Sequence, residues 1–240
     1  MLQQLLRIYN QYKQELNNMK ILILVLSHLE DGYESFIDMQ KKTWDSIEVP
    51  GIETFFYYAS KSEIEKPNEW NINCDGSLEN TYNKMILAFK RALDYQWDYL
   101  FRTNSTSYVV KSELLKMYSE LDPLNTIGGQ LGPYPHCFKK TGHIQGFSVM
   151  ISRDIVQLLV DKYPEGKGID VEVMSRYLFD NENIVLNNKH YIHGVESTED
   201  VNLDNPTHLY RINKATDLQG RLLLMEQIHN HIISHSSQAR

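Results

Sequence analysis

Residues 19–28, MKILILVLSH, decide the fold. From Ile21 to Leu26 every residue is aliphatic, with no polar residue interposed. A half-exposed strand would alternate and a surface helix would keep a polar face, so the run predicts a parallel strand covered on both sides. Such a strand needs a layer above and a layer below, which is the arrangement of an open α/β sheet. Ser27 and His28 follow it directly, at the carboxyl end where sheets of this kind take their ligands.

Outward from this strand the pattern alternates. Tyr33, Phe36, Ile37 and Trp44 recur at helical spacing, Pro50-Gly51 punctuates, and Glu53–Ala59 reads as a second strand, completing a β-α-β unit. Ser77 stands where an N-cap belongs, and Leu78, Tyr82, Met85, Ala88, Phe89 and Ala92 predict a long helix reaching Tyr95. Trp44 and Tyr82 are expected in the core. Trp97–Phe101 is a further strand, and it ends in the polar run Arg102-Thr103-Asn104-Ser105-Thr106-Ser107. Beyond it, 128–133 (GGQLGP) reads as a turn, Gln145–Ile151 as a strand and Arg153–Tyr163 as a helix. In 166–178 (GKGIDVEVMSRYL), two glycines and an acidic residue precede another helix. Ile184–Leu186 and Tyr191–Val195 are expected as short strands and Gly220–Ile233 as a closing helix. Residues 1–18 carry Leu2, Leu5, Leu6, Ile8 and Tyr12 at the spacing of a modestly amphipathic helical extension. Residues 19–240 read as one continuous α/β domain with a mostly parallel central sheet flanked by helices.

Composition excludes several classes. Lys and Arg number 24 against 31 Asp and Glu, a net charge of -7, so no global positive field gathers nucleic acid. The six-residue run Ile21–Leu26 is the longest of its kind, far below the roughly 20 residues of a membrane span. The start of the chain lacks the order of a signal peptide, which leads to the expectation of a cytoplasmic protein. Cys74 and Cys137 form neither a disulfide framework nor a metal knuckle. The pairs His190/His193 and His229/His231 lack the partners of a metal site and are expected to be exposed. No dinucleotide loop, phosphate loop or nucleophile elbow is present.

The order of these pieces resembles the GT-A glycosyltransferases of the Fringe and β-1,3-galactosyltransferase type, over roughly Ile21–His193. Residues 21–28 with Lys42-Thr43-Trp44 resemble that family's first strand and its R-x-T-W segment. Ser77-Leu78-Glu79-Asn80-Thr81 with Lys84 is similar to S-Y-x-N-L-T-x-K. Residues 99–110, YLFRTNSTSYVV, match K-T-D-D-D-T-F-V in position and flanks, and residues 145–154, QGFSVMISRD, resemble G-G-G-Y-V-L-S-R-D. Gly168-Ile169-Asp170-Val171 falls where the family carries E-D-V. The departure is at the metal-binding triple aspartate, which here is Asn104, Ser105 and Thr106. Divalent Mg or Mn prefers charged oxygen ligands, and neutral amides and hydroxyls do not replace them.

The resemblance implies a nucleotide-binding half of about 19–110 and an acceptor half of about 111–240. It implies an inverting hexosyl- or pentosyltransferase that moves a sugar from a nucleotide-diphosphate sugar, a UDP-sugar favoured, to a glycan or other hydroxyl acceptor. Asp170 is the candidate base, with Glu172 in reserve, although Asp170 also suits a helix N-cap. Ser27, His28 and Asp75 are candidate contacts for base and ribose, and Asn104 and Thr106 stand where the family meets the diphosphate. Without carboxylates the expectation is a metal-independent enzyme whose leaving diphosphate is neutralised by cations. The segment Thr207–Lys214 supplies the leading ones, Arg211 and Lys214, with Arg102, Lys84 and His208 behind them. On a strand, Tyr210 and Ile212 would share one face with His208 and leave Arg211 on the other. Two alternatives stay open: a relative that binds nucleotide or glycan without catalysis, and a structural or assembly protein. A bacterial or viral glycan pathway suits a member of this type without an anchor.

Overall fold

A computed structural model describes residues 19–30, 32–119, 121–122, 124–131, 143–182, 184, 186, 188–189, 193–204, 206–212 and 217–238. Its strands are β1 (Ile21–Leu26), β2 (Ile52–Ala59), β3 (Glu69–Ile72), β4 (Tyr99–Asn104), β5 (Ser107–Val109), β6 (Ile127–Leu131), β7 (Ile144–Ser152), β8 (Asn188–Lys189), β9 (His193–Val195) and β10 (Leu209–Ile212). The helices are α1 (Glu34–Lys42), α2 (Thr81–Ala92), α3 (Lys111–Tyr118), α4 (Arg153–Lys162), α5 (Asp170–Ser175) and α6 (Leu218–Gln238). Seven strands form one sheet in the order β3-β2-β1-β4-β7-β6-β8. Strands β3, β2, β1 and β4 are parallel, β7 is antiparallel to both neighbours, and β8 is parallel to β6.

Strand β1 is central because all six of its side chains are apolar and buried. Leu22, Leu24 and Leu26 point to one face, where Phe55 and Tyr57 of the sheet meet Met85 and Phe89 of α2, Ile155 and Leu159 of α4, and Val171 of α5. Ile21, Ile23 and Val25 point to the other, against Phe36 and Ile37 of α1, Leu114 of α3, and Met225 and Ile228 of α6. Each of these burials contributes about 1.5–3 kcal/mol, so an unbroken aliphatic strand is stable only with helices on both sides. The mixed α/β architecture with a mostly parallel sheet is the one read from the sequence. Trp44 and Tyr82 are core residues, each wholly buried.

Several local expectations are corrected. Gly128 and Gly129 lie within β6 and not in a turn; a Cβ on Gly129 would sit 2.5 Å from Ile144 Cγ2 and 2.7 Å from the Ser148 carbonyl, so the residue is small to let β7 approach. Ser77 does not cap the long helix. Its hydroxyl donates to Asp75 Oδ2 at 2.7 Å, and a 3-10 turn, Leu78–Asn80, precedes α2. Ile184 and Leu186 are not strand residues, and the Ile184 amide instead donates to the Leu178 carbonyl at 2.9 Å, behind the π-helical turn Arg176–Asn181 that extends α5. Helix α3 and strands β3, β5 and β6 went unread, being short or lacking clear alternation. His229 is half-buried, with Nδ1 3.0 Å from the Tyr108 hydroxyl, while His231 is exposed. The extension 1–18, Cys137 and His190 lie outside the described residues.

A second sheet positions the site. Its order is β5-β10-β9, with β10 antiparallel to β5 and parallel to β9. Register pairs Arg211 with Ser107, just past the end of β4, and the Ile212 amide donates to the Thr106 carbonyl at 3.1 Å. Gln40 of α1 clamps the same turn from below, its Nε2 donating to the Ser107 carbonyl at 2.9 Å and the Asn104 carbonyl at 3.3 Å. Late chain is thereby fastened to the carboxyl end of the main sheet.

Candidate functional site

A cavity of about 350 Å³ opens at the carboxyl ends of β1 and β4. It is lined by Leu26, His28, Glu30 and Tyr33 from β1 and the segment after it, by Asn104, Ser105 and Thr106 from the end of β4, and by Arg211 and Arg221 from the late chain. The His28 ring stands edge-on to Tyr33, 5.9 Å between centroids, and Tyr33 stacks on Phe36. The lining therefore combines aromatic rings with cationic groups.

Arg211 is fixed by three features. Tyr210 and Ile212 are buried on the inner face of β10, as alternation requires, leaving Arg211 to face the cavity. Its guanidinium lies over the Phe147 ring, 4.9 Å from the centroid, and Nη1 donates to Asn104 Oδ1. Burial, together with Arg221 and Arg102, pushes its pKa down to about 10, so it stays charged at neutral pH. The neutral amide of Asn104 does not cancel that charge.

The same contact tests the metal site that the resemblance implies. Asn104 Oδ1 already accepts from Arg211 and from the hydroxyls of Ser107, at 3.1 Å, and Thr106, at 3.3 Å. A divalent cation held by Asn104, Ser105 and Thr106 would face a guanidinium and find no carboxylate among the three, so these residues do not fit it. Among the described residues no three His, Cys, Asp or Glu side chains converge to hold a metal ion.

Behind His28 lies a second charged group. Arg102 on β4 and Asp170 at the start of α5 form a buried ion pair, Nη2 donating to Oδ2. A Cβ on Gly146 would meet Arg102 Nη1 at 2.5 Å, so glycine at this point of β7 makes room for the guanidinium. Burial disfavours the charge on Arg102, and the adjacent Asp170 together with Tyr57 more than offsets it, leaving the arginine pKa raised. Tyr57, packed beside it, is pushed up to about 12 by burial and stays neutral. Lys84 of α2 is wholly buried, and its Nζ has no hydrogen-bond partner among the described residues. Burial pushes its pKa down, with Cys74, Asp170 and Arg102 among the groups near enough to act on it.

The loop carrying Asp170 is tied to the start of α2. Gly168 N donates to the Glu79 carbonyl at 2.7 Å, Gly166 N to Asn83 Oδ1 at 2.8 Å, and Asp170 N to Thr81 Oγ1 at 3.1 Å. Asp170 is the first residue of α5, and the N-cap position is Ile169. Its carboxylate serves Arg102, so it is not a helix cap. Glu172, two residues along, is half-buried.

The remaining sequence candidates scatter. Ser27 is buried at the end of β1, its amide donating to the Tyr57 carbonyl at 2.9 Å and its Oγ without a partner. Asp75 is exposed and lies outside the cavity lining; bonds from the Ser77 hydroxyl and amide hold its carboxyl below the usual range. His208 is buried, its ring edge-on to Phe101 and Nε2 3.4 Å from Ser148 Oγ, also outside the lining. Lys214 lies outside the described residues. The cavity thus gathers His28, Asn104, Thr106 and Arg211 from the expected set, while Lys84 and the paired Arg102 and Asp170 lie outside its lining. Glu30, Tyr33 and Arg221 were not foreseen. Arg221 had a readable signal, since it opens the helix that follows the cation-rich segment 207–214.

No protein-family model and no curated protein matches the chain. Solved structures do. A glycosyltransferase involved in the glycosylation of the major capsid of PBCV-1 superposes with a TM-score of 0.54 at 14% identity, over 87% of this chain and 99% of its own. The apo-form glycosyltransferase GlyE of Streptococcus pneumoniae TIGR4 gives a TM-score of 0.43 at 11% identity, over 91% of this chain and 64% of GlyE. The first of these defines the class of fold, an α/β fold shared with a glycosyltransferase. Among the described residues no helix is long and apolar enough to cross a membrane.

Proposed function

We propose that the protein is a glycosyltransferase that moves a sugar from a nucleotide-diphosphate donor, a UDP-sugar favoured, to an acceptor hydroxyl, with inversion and without a divalent metal. One observation carries the reading: a single cavity at the carboxyl end of the sheet is lined both by aromatic rings, His28 and Tyr33, and by two arginines, Arg211 and Arg221. A nucleotide diphosphate offers a flat base and an anion to such a lining, and the fold shared with the PBCV-1 glycosyltransferase supports the assignment. In the reaction a carboxylate, Asp170 or in reserve Glu172, takes the acceptor proton. The acceptor oxygen attacks the anomeric carbon as its bond to the diphosphate breaks, and the diphosphate leaves with the electron pair. Arg211 and Arg221 neutralise that developing charge, the work a metal would otherwise do. Lys214 is a further candidate from the same segment.

A second reading, a nucleotide- or glycan-binding protein without catalysis, is favoured by one feature: Asp170 is already committed to Arg102 in a buried pair. Titration calorimetry with UDP-, GDP-, CMP- and TDP-sugars, followed by a turnover assay in excess EDTA, separates them. An enzyme of the proposed type binds at least one donor and transfers its sugar with the chelator present. Binding without turnover selects the second reading, and turnover lost to EDTA and restored by Mn²⁺ overturns metal independence.

A further inference from the structure

The cavity holds one group that the neutralisation of an anion does not use. Glu30 is the only acidic side chain among the described residues of the lining, which also presents Arg211. It is exposed, and its carboxylate makes no hydrogen bond or ion pair with a described residue. Beside a bound diphosphate such a carboxylate repels the ligand, weakly because water screens it, and the repulsion is offset only where the ligand supplies hydrogen-bond donors. The diphosphate itself has none to give.

The chain around Glu30 says which part of the ligand supplies them. His28, Glu30 and Tyr33 come from one short segment after β1, and all three line the cavity. The Tyr33 amide donates to the Glu30 carbonyl at 3.1 Å, and Gly32, at φ 80°, turns the chain between them. A Cβ on Gly32 would lie 2.6 Å from Leu218 Cδ2, so the turn is seated on the start of α6. The carboxylate is thus carried on the same turn as the two rings that offer a flat base its stacking surface. In a nucleotide diphosphate the ribose is bonded to the base on one side and to the diphosphate on the other, so it is the part that lies next to a stacked base. Its vicinal 2′- and 3′-hydroxyls are two donors side by side, the complement of the two oxygens of a carboxylate.

We propose that Glu30 accepts hydrogen bonds from the 2′- and 3′-hydroxyls of the donor's ribose, so that the substrate class is a ribonucleoside-diphosphate sugar and 2′-deoxy donors, TDP-sugars among them, are disfavoured. The inference rests on the donor-site reading above and adds the recognition of the ribose to it. Glu30 acts in binding and specificity, and no proton leaves the ribose.

The test is titration calorimetry on the full chain with two matched pairs, UDP with 2′-deoxy-UDP and GDP with 2′-deoxy-GDP. In the pair that binds, the ribose member is expected to bind about tenfold more tightly, the scale of one hydrogen bond to a charged group. In Glu30→Ala the two members should bind alike, and the changes have opposite signs. The ribonucleotide weakens, while the deoxynucleotide binds as well as before or better, because the repulsion goes with the carboxylate. Should that variant fail to fold by circular dichroism, Glu30→Gln takes its place and the ratio narrows. Equal affinity for both members in the natural protein overturns the proposal while the donor site stands. A preference that persists in the variant overturns it as well, and so does a parallel weakening of both members, which would make Glu30 a structural residue of the turn. Methylating the base at its ring N–H, N3 of uracil or N1 of guanine, tests the rival partner. Affinity lost on methylation, with ribose and deoxyribose bound alike, assigns Glu30 to the base and overturns the proposal. If no nucleotide binds at all, the donor site itself is wrong and the proposal falls with it.

Discussion

Two arginines stand near the end of the same strand, and their partners set them apart. Arg211 reaches over from β10 to the amide oxygen of Asn104, and Arg102, two residues earlier on β4, bonds the carboxylate of Asp170. The amide accepts a hydrogen bond without supplying charge, so Arg211 keeps its positive field for a ligand in the cavity. The carboxylate supplies a full charge in a buried setting, so Arg102 is spent inside the protein. One pair leaves its charge open toward the cavity and the other spends it within the fold, although both are an arginine on an oxygen. A side chain's charge therefore says little about its availability until its partner is known.

The comparison breaks most visibly at Asp170. Replacing it with Asn is expected to lower turnover by about two to four orders of magnitude, the usual contribution of a general base. The same change strands the Arg102 guanidinium, and removing one partner of a buried pair costs about 3–5 kcal/mol. Urea denaturation and a turnover assay on Asp170→Asn and on the double variant Arg102→Met/Asp170→Asn separate the two contributions. Stability should return in the double variant while turnover stays lost. Turnover that returns with stability would assign Asp170 a structural role alone.

The open pair is expected to respond in affinity and not in stability. Arg211→Ala and Arg221→Ala should each weaken binding of UDP by about ten- to a hundredfold, matching the 1.5–3 kcal/mol of a hydrogen bond to a charged group. The midpoint of thermal unfolding should move little in Arg211→Ala, because its partner Asn104 is a neutral amide and not a buried carboxylate. Calorimetric titration of both variants checks this, and unchanged affinity in both would remove the cationic wall from the donor site.

Asn104→Asp would turn the open pair into a copy of the closed one. A carboxylate beside Arg211 cancels the field that the cavity presents, so UDP affinity in EDTA should fall by about tenfold. The new carboxylate also supplies the hard ligand that Asn104, Ser105 and Thr106 lack, so added Mn²⁺ should recover part of the loss. Affinity that is indifferent to the substitution would mean that Arg211 and Asn104 do not act as a unit.

The closed pair was half legible in the sequence and the open one hardly at all. The unbroken Ile21–Leu26 run fixes a doubly covered strand, and the polar ends of β1 and β4 then follow as ligand-facing positions. Asp170 could be picked from its place between glycines and a helix, but its commitment to Arg102 could not, because 68 residues separate them and only packing brings them together. Arg221 and Tyr33 reach the cavity through the docking of α6 and α1, which periodicity does not encode. His208 and Lys84 show the converse, since each is a cation by type that the fold withdraws from the open cavity. The glycines of β6 misled because Gly-Gly favours turns locally, whereas here the absence of side chains serves the close approach of β7.

The smallest effect concerns His28, which shares the cavity lining with Arg211 and feels the charges of Arg102 and Asp170. Burial lowers its pKa below the ordinary 6.5, Lys84 and Arg102 lower it further, and Glu30 and Asp170 pull the other way without prevailing. The imidazole is accordingly neutral at pH 7 in the folded protein. Because the unfolded chain binds the proton more readily, this residue's contribution to stability is present above pH 6.5 and is lost as pH falls through the lowered value. Ligand binding runs in the opposite sense, since a protonated His28 adds positive charge to the cavity wall and favours an anion. UDP affinity should therefore rise, by less than about tenfold, as pH falls below 6.5 while the thermal midpoint drops. His28→Gln should flatten the affinity profile in that range and keep the neutral-pH value. An affinity profile of the same slope in the variant would assign the change to the phosphate itself and remove His28 from the donor wall.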